Sequence, residues 1–201
     1  MENKNEIIEQ SKLAFDFMQK LYFETSYLIK EIEGMLKEEE EKFVIGKPSG
    51  YGVTTRTSSG LEAGNVPLWL VRKLAVFYVP KVATADRKKT ITKFGKKLKL
   101  IYARVILNEK DLDEPCLLTG VFHEIIKKTP ANKFPKKVEE FMALLEKRDD
   151  KVFHKLDPLH YEDSYLQLKG KFFRVGLFDI NNSEDIQKKI IEPVLKIFRK
   201  I

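Results

Sequence analysis

Apolar residues recur every seven positions across residues 4–42, and this rhythm constrains the fold more than any other feature of the chain. The segment contains no proline and a single glycine, Gly34. Three columns carry the repeat: Ile7, Ala14, Leu21, Leu28 and Met35; Ile8, Phe15, Tyr22, Ile29 and Leu36; and Ser11, Met18, Thr25 and Ile32. Five heptads predict a long helix with one broad apolar face. Three columns are wider than a coiled-coil seam, so we expect packing against a sheet or several helices.

The length of this helix sets a second constraint. About 37 helical residues would extend about 56 Å, whereas a compact domain of this size is roughly 43 Å across. We therefore expect the helix either to kink at Gly34, where helix propensity is poorest, or to overhang the body and dock on a second subunit. The second alternative predicts a homodimer through the N-terminal helix. The acidic run 38–41 is expected to be a solvated, frayed helix end, because its charge opposes the helix dipole.

The residues that follow, 51–180, have the texture of a β-sheet. The strand candidates are 53–57, 69–79, 98–107, 116–125 and 165–180. Because they follow one another with little helix between them, antiparallel pairing is predicted. An amphipathic pattern predicts a short inserted helix at 135–148. A C-terminal helix is predicted at 183–201, capped by Asn182 or Ser183 and kinked or split by Pro193.

These elements predict a single α+β domain over residues 1–201. It consists of an antiparallel sheet of about five strands, with the long N-terminal helix (1–45), the inserted helix and the C-terminal helix covering one face. The single cysteine, Cys116, excludes an intrachain disulfide, predicts a cytoplasmic protein and is expected to be a buried hydrophobic residue. No apolar run approaches the roughly 18 residues that span a bilayer, so no membrane partner is expected.

The charge is concentrated in one segment. The chain has 37 basic and 30 acidic residues, a net charge of +7, and the segment 81–99 alone has eight basic residues against one acid, Asp86. It joins two strand candidates, so we expect a basic, projecting hairpin that contacts an acidic macromolecule, DNA or RNA. The residues predicted to bind this polyanion are Arg87, Lys88, Lys89, Lys93, Lys96 and Lys97.

A second lysine run would strengthen this prediction if it shared a face with the first. It comprises Lys127, Lys128, Lys133, Lys136 and Lys137, with no acid inside it. The favoured function is therefore a non-enzymatic binding or assembly module that needs no cofactor. The simpler alternative is a solvated loop whose lysines discourage edge pairing of strands.

Two further functions stay open. A polar cluster could bind a divalent metal and make the protein a metal-dependent hydrolase or nuclease; it comprises His154, Asp157, His160, Glu162 and Asp163. Its spacing matches no established ligand motif, and an ordinary polar loop explains it equally. The other alternative is a small-molecule sensor with a pocket between sheet and helices. No residue motif in the chain carries a resemblance to a known family.

Overall fold

The computed structural model describes residues 4–45, 54–55, 70–71, 73–83, 98–110, 112–128, 140–141, 144–145 and 148–201. The helices are α1 (Lys4–Glu38), α2 (Asp149–Val152), α3 (Ser183–Ile186) and α4 (Glu192–Lys200). The strands are β1 (Phe43–Ile45), β2 (Thr54–Thr55), β3 (Lys73–Pro80), β4 (Leu100–Ile106), β5 (Cys116–Lys127), β6 (Leu159–Glu162) and β7 (Leu166–Gly176).

The strands form one antiparallel sheet, which confirms the predicted α+β class. Six strands lie in the order β1-β3-β4-β5-β7-β6, and the short β2 also pairs with β3. The sheet has more strands than the five predicted, because the sequence did not predict β1 and β6, which have only three and four residues. Strands this short are too brief for a period of two to distinguish them from turns. The predicted strand 165–180 ends at Gly176, where a 3-10 turn (Leu177–Asp179) begins.

Both faces of the sheet are buried. On β4, Tyr102 and Ile106 belong to one hydrophobic cluster, whereas Ile101 and Val105 belong to the other, as the alternation of side chains along a strand requires. The first cluster includes Phe141 and Leu145, two described residues of the inserted helix predicted at 135–148. The second includes residues of α1 and of the C-terminal helix. Helical segments therefore cover both faces, and not one face as the sequence led us to expect.

Helix α1 contacts the sheet with its C-terminal half only. Thr25, Ile29, Ile32 and Leu36 are its buried residues, and the Tyr78 hydroxyl donates to the Ile29 carbonyl at 3.2 Å. Residues 4–20, which we call the arm, are exposed except for the half-buried Met18. The helix continues without a break through Gly34 and residues 4–20 extend beyond its buried part, so of the two predicted outcomes the structure has the overhang. Seventeen helical residues extend about 25 Å.

The C-terminal helix follows the predicted pattern closely. The Asn182 side chain accepts a hydrogen bond from the Asp185 backbone N–H at 3.0 Å and caps α3. A π-helical segment, Gln187–Ile191, separates α3 from α4, and Pro193 lies in the first turn of α4. Proline has no N–H to donate to the preceding turn and its ring crowds the carbonyl four residues earlier, so the helix widens just before it. The predicted split is confirmed.

The acidic run at the end of α1 is partly engaged rather than wholly solvated. Arg199 donates hydrogen bonds to Glu39 at 2.9 Å and to Glu41 at 3.1 Å. This guanidinium lowers the pKa of Glu41 below its usual value. The contacts attach the end of α1 to the end of α4, a long-range interaction that local dipole arguments could not anticipate.

Candidate functional site

One end of the sheet gathers the segments from which both lysine runs leave. Strand β3 ends there, β4 begins there and β5 ends there, because Tyr78 pairs with Ile101 and Leu100 pairs with Phe122. The segment 81–99 thus connects two neighbouring antiparallel strands. The second run begins at Lys127, where β5 ends opposite Leu166. We call this end of the sheet, with Lys81, Lys99, Lys127 and Lys128, the basic end.

The four lysines of the basic end differ in their surroundings. Lys81, Lys127 and Lys128 are exposed, whereas Lys99 is half-buried. The Lys99 ammonium donates a hydrogen bond to the Phe198 carbonyl at 3.0 Å and lies 5.3 Å from the centre of the Phe198 ring. A cation at the last carbonyls of a helix is electrostatically favourable. Lys99 therefore stabilises the end of α4, whereas Lys128 pairs with Glu162.

Four acidic side chains at this end are paired with basic ones. Glu39 and Glu41 accept from Arg199, Glu162 pairs with Lys128, and Asp163 accepts from Arg148 at 2.8 Å. The hydrogen bond from Lys128 lowers the pKa of Glu162. These carboxylates are already compensated within the chain, so they repel an approaching anion less than free carboxylates would.

The six residues predicted to bind a polyanion lie outside the described residues. They are Arg87, Lys88, Lys89, Lys93, Lys96 and Lys97. Lys133, Lys136 and Lys137 of the second run also lie outside them. The structure does describe the residues from which each run continues along the chain, and for both runs these residues lie at the basic end.

The polar cluster at 154–163 forms separate contacts rather than a common centre. Asp163 accepts from the Tyr161 hydroxyl at 2.8 Å and from the backbone N–H groups of Tyr165 and Leu166 at 2.7 Å each. Burial raises the pKa of Asp163, but these hydrogen bonds and Arg148 outweigh it and the pKa is lowered overall. This carboxylate closes the turn between β6 and β7.

The other members of the cluster point to the same conclusion. Asp157 pairs with Lys171 at 2.9 Å, and the His154 ring lies 2.6 Å from the Lys151 carbonyl. His160 is exposed, 4.0 Å from Glu162. Within the described ranges, no three His, Cys, Asp or Glu side chains converge as a metal site requires. Cys116 is buried, as predicted, and burial raises the pKa of its thiol.

A groove lies between α1 and the segment 177–186. Its volume is about 350 Å³. Its lining includes Leu21, Leu28, Leu177, Ile180 and Ile186, and Glu24 and Glu31 also lie at its walls. The sensor alternative places a pocket between sheet and helices, whereas this groove lies between two helical segments.

Large apolar residues outside the three columns were missed by the sequence analysis. Leu13, Phe17, Phe23 and Tyr27 are all more than half exposed. The signal was present: each is a large apolar residue on a flank of the helix that the heptad columns assign to solvent. Because the dominant apolar stripe lies elsewhere on the helix, these residues resemble ordinary surface positions in the sequence.

Comparison with known proteins leaves the structure as the basis for inferring function. No protein-family model, curated protein or solved structure matches this chain. Among the described helices, none combines the length and apolar character needed to cross a bilayer.

Proposed function

We propose that this chain is a non-enzymatic binding module that uses the basic end of its sheet to bind a nucleic acid. The residues that would contact the phosphates are Arg87, Lys88, Lys89, Lys93, Lys96 and Lys97. The observation that supports the proposal is the strand register, which tethers both lysine runs to the same end of the sheet. Two runs at opposite ends could not act on one short stretch of phosphates.

The charge distribution supports the same function. The segment 81–99 carries a net charge equal to that of the whole chain, +7. Lys127 and Lys128, two exposed residues outside this segment, lie at the same end of the sheet. Lysine-rich surfaces bind the phosphate backbone by releasing condensed counterions, so binding should depend steeply on salt and little on base sequence.

The experiment measures binding of a fluorescent 20-base-pair DNA and a matched RNA by anisotropy between 50 and 300 mM salt. A variant replaces all six proposed contact residues with glutamine. We expect the wild-type log–log salt slope to approach about −5, since each phosphate contact contributes about −0.9 on duplex DNA. The slope of the variant should be several units shallower.

A charge-matched control separates a specific site from a general effect of net charge. It replaces six exposed lysines that lie outside the basic end: Lys4, Lys12, Lys110, Lys155, Lys188 and Lys189. We expect the control to retain most of the affinity and slope. Equal weakening in both variants, or no detectable binding of wild type at 50 mM salt, would contradict the proposal.

A further inference from the structure

The arm exposes five large apolar side chains, which lie on different flanks of the helix. Leu13, Phe15 and Phe17 are 62%, 74% and 60% exposed, and Ile7 and Ile8 are nearly half exposed. Leu13 and Phe17 lie on one flank of the helix, and Ile8 and Phe15 lie roughly half a turn away on the other, because the helix turns once every 3.6 residues. Exposed apolar side chains of this size commonly mark an interaction surface.

The charge of the arm favours a second copy of this chain as its partner. The heptad repeat requires that its apolar face be covered, but the repeat does not identify the cover, since the buried half of α1 packs the same repeat against the sheet. Although the chain as a whole is basic, the arm is neutral, with three bases against three acids: Lys4, Lys12 and Lys20 against Glu6, Glu9 and Asp16. Two copies can therefore meet here without charge repulsion.

The groove supplies the complementary surface. Phe17 lies on the same flank of α1 as the wall of the groove, because residues 17, 21, 24, 28 and 31 are spaced by three or four along the helix. On the arm this flank carries Leu13 and Phe17, and it becomes one wall of a concave site where segment 177–186 joins it.

We propose that two copies associate by placing the arm of each in the groove of the other, with the two α1 helices antiparallel. Parallel helices would set arm against arm and leave both grooves empty. If Phe17 of each copy enters the groove of the other, it lies opposite about residue Tyr27. The two-fold axis then passes midway between these positions, near Tyr22. Lys20 of one copy then lies opposite Glu24 of the second copy, so that basic and acidic side chains alternate across the interface.

The first experiment measures mass by analytical ultracentrifugation over a wide range of protein concentration, without nucleic acid. Wild type should form a dimer, and Phe17→Asp should raise the dissociation constant at least about 30-fold, as expected for a central aromatic contact. The matched control is Phe23→Asp, because Phe23 is 55% exposed but projects about 120° around the helix from Phe17. It should change the constant less than about threefold.

The second experiment tests the charge pairing. Lys20→Glu and Glu24→Lys should each weaken the homodimer, because each places like charges across the interface. Mixing the two variants should give a heterodimer at least tenfold tighter than either homodimer, since opposite charges then face each other again. An interaction confined within one chain predicts no gain on mixing.

The third experiment fixes the orientation. A spin label at Glu9→Cys, in a Cys116→Ala background, should give an interlabel distance near 39 Å, since Glu9 lies opposite residue 35 when the helices are antiparallel. Parallel helices place the labels roughly 10–20 Å apart. That shorter distance, a monomer at all concentrations, or a monomer whose arm amides resist hydrogen exchange because this chain covers them would each overturn the proposal. None of these outcomes bears on nucleic-acid binding, which rests on other residues.

Discussion

The two halves of α1 share one heptad rhythm and differ in what surrounds them. In residues 21–38 the repeat buries Ile29, Ile32 and Leu36 against the sheet, whereas in residues 4–20 the same columns leave Ile8 and Phe15 in solvent. The rhythm follows from helix geometry, which is identical whether the cover comes from the same chain or another. An apolar repeat therefore predicts that a face will be covered, and it does not say by what.

The largest expected difference between the halves concerns stability. Leu36→Ala removes a fully buried side chain and should lower the free energy of unfolding by about 2–5 kcal/mol. The matched change in the arm, Ile8→Ala, should cost less than about 0.5 kcal/mol in dilute protein, because Ile8 is already partly hydrated. Urea unfolding followed by circular dichroism measures both values. Equal losses would show that the arm is buried in the body of its own chain.

A smaller effect on stability is expected at Gly34, in the half of α1 that packs on the sheet. Nothing lies within 4 Å of a Cβ added there, so Gly34→Ala should raise the free energy of unfolding by about 1 kcal/mol through helix propensity. The companion variant Ala14→Gly makes the reverse change in the arm. It should reduce helical content without changing the unfolding midpoint in dilute protein, because the arm is not coupled to the core. A shift of the midpoint by Ala14→Gly would refute this independence.

The smallest effect concerns the contact that fastens the end of α1. Arg199 lowers the pKa of Glu41, so the folded state binds its proton less readily than the unfolded state does. The stabilisation is therefore present above the unfolded pKa near 4.5 and is lost as pH falls through the lower folded value. Arg199→Gln should cost at most about 1 kcal/mol at pH 7, because the pair is partly exposed.

The pH dependence of that variant is the check on its mechanism. The stability difference from wild type, measured by urea unfolding between pH 7 and 2.5, should shrink below about pH 4.5. A difference that stays constant over this range would mean that Arg199 acts through packing of its aliphatic stem. Lys12 of the arm makes no ion pair with the residues that the structure describes, so Lys12→Gln should leave the stability of dilute protein unchanged at every pH.

The candidate site shows how far local reasoning extends. The lysine runs can be read directly from the sequence, because charge is a property of residue identity. Their attachment to one end of the sheet depends on which strands are neighbours and in which register, for instance Lys127 opposite Leu166. The same limit applies to Asp163, whose partner Arg148 lies 15 residues away and makes it a turn-forming carboxylate.

The sequence by itself determined the elements: the long first helix, the antiparallel strands, the cap at Asn182 and the interruption before Pro193. These follow from interactions over a few residues, namely side-chain periodicity, capping and the missing N–H of proline. Tertiary structure alone decided that helical segments cover both faces of the sheet, that Arg199 joins Glu41, and that α1 projects as an arm beside a groove. Such outcomes depend on packing between residues far apart in the chain, and no local pattern encodes them.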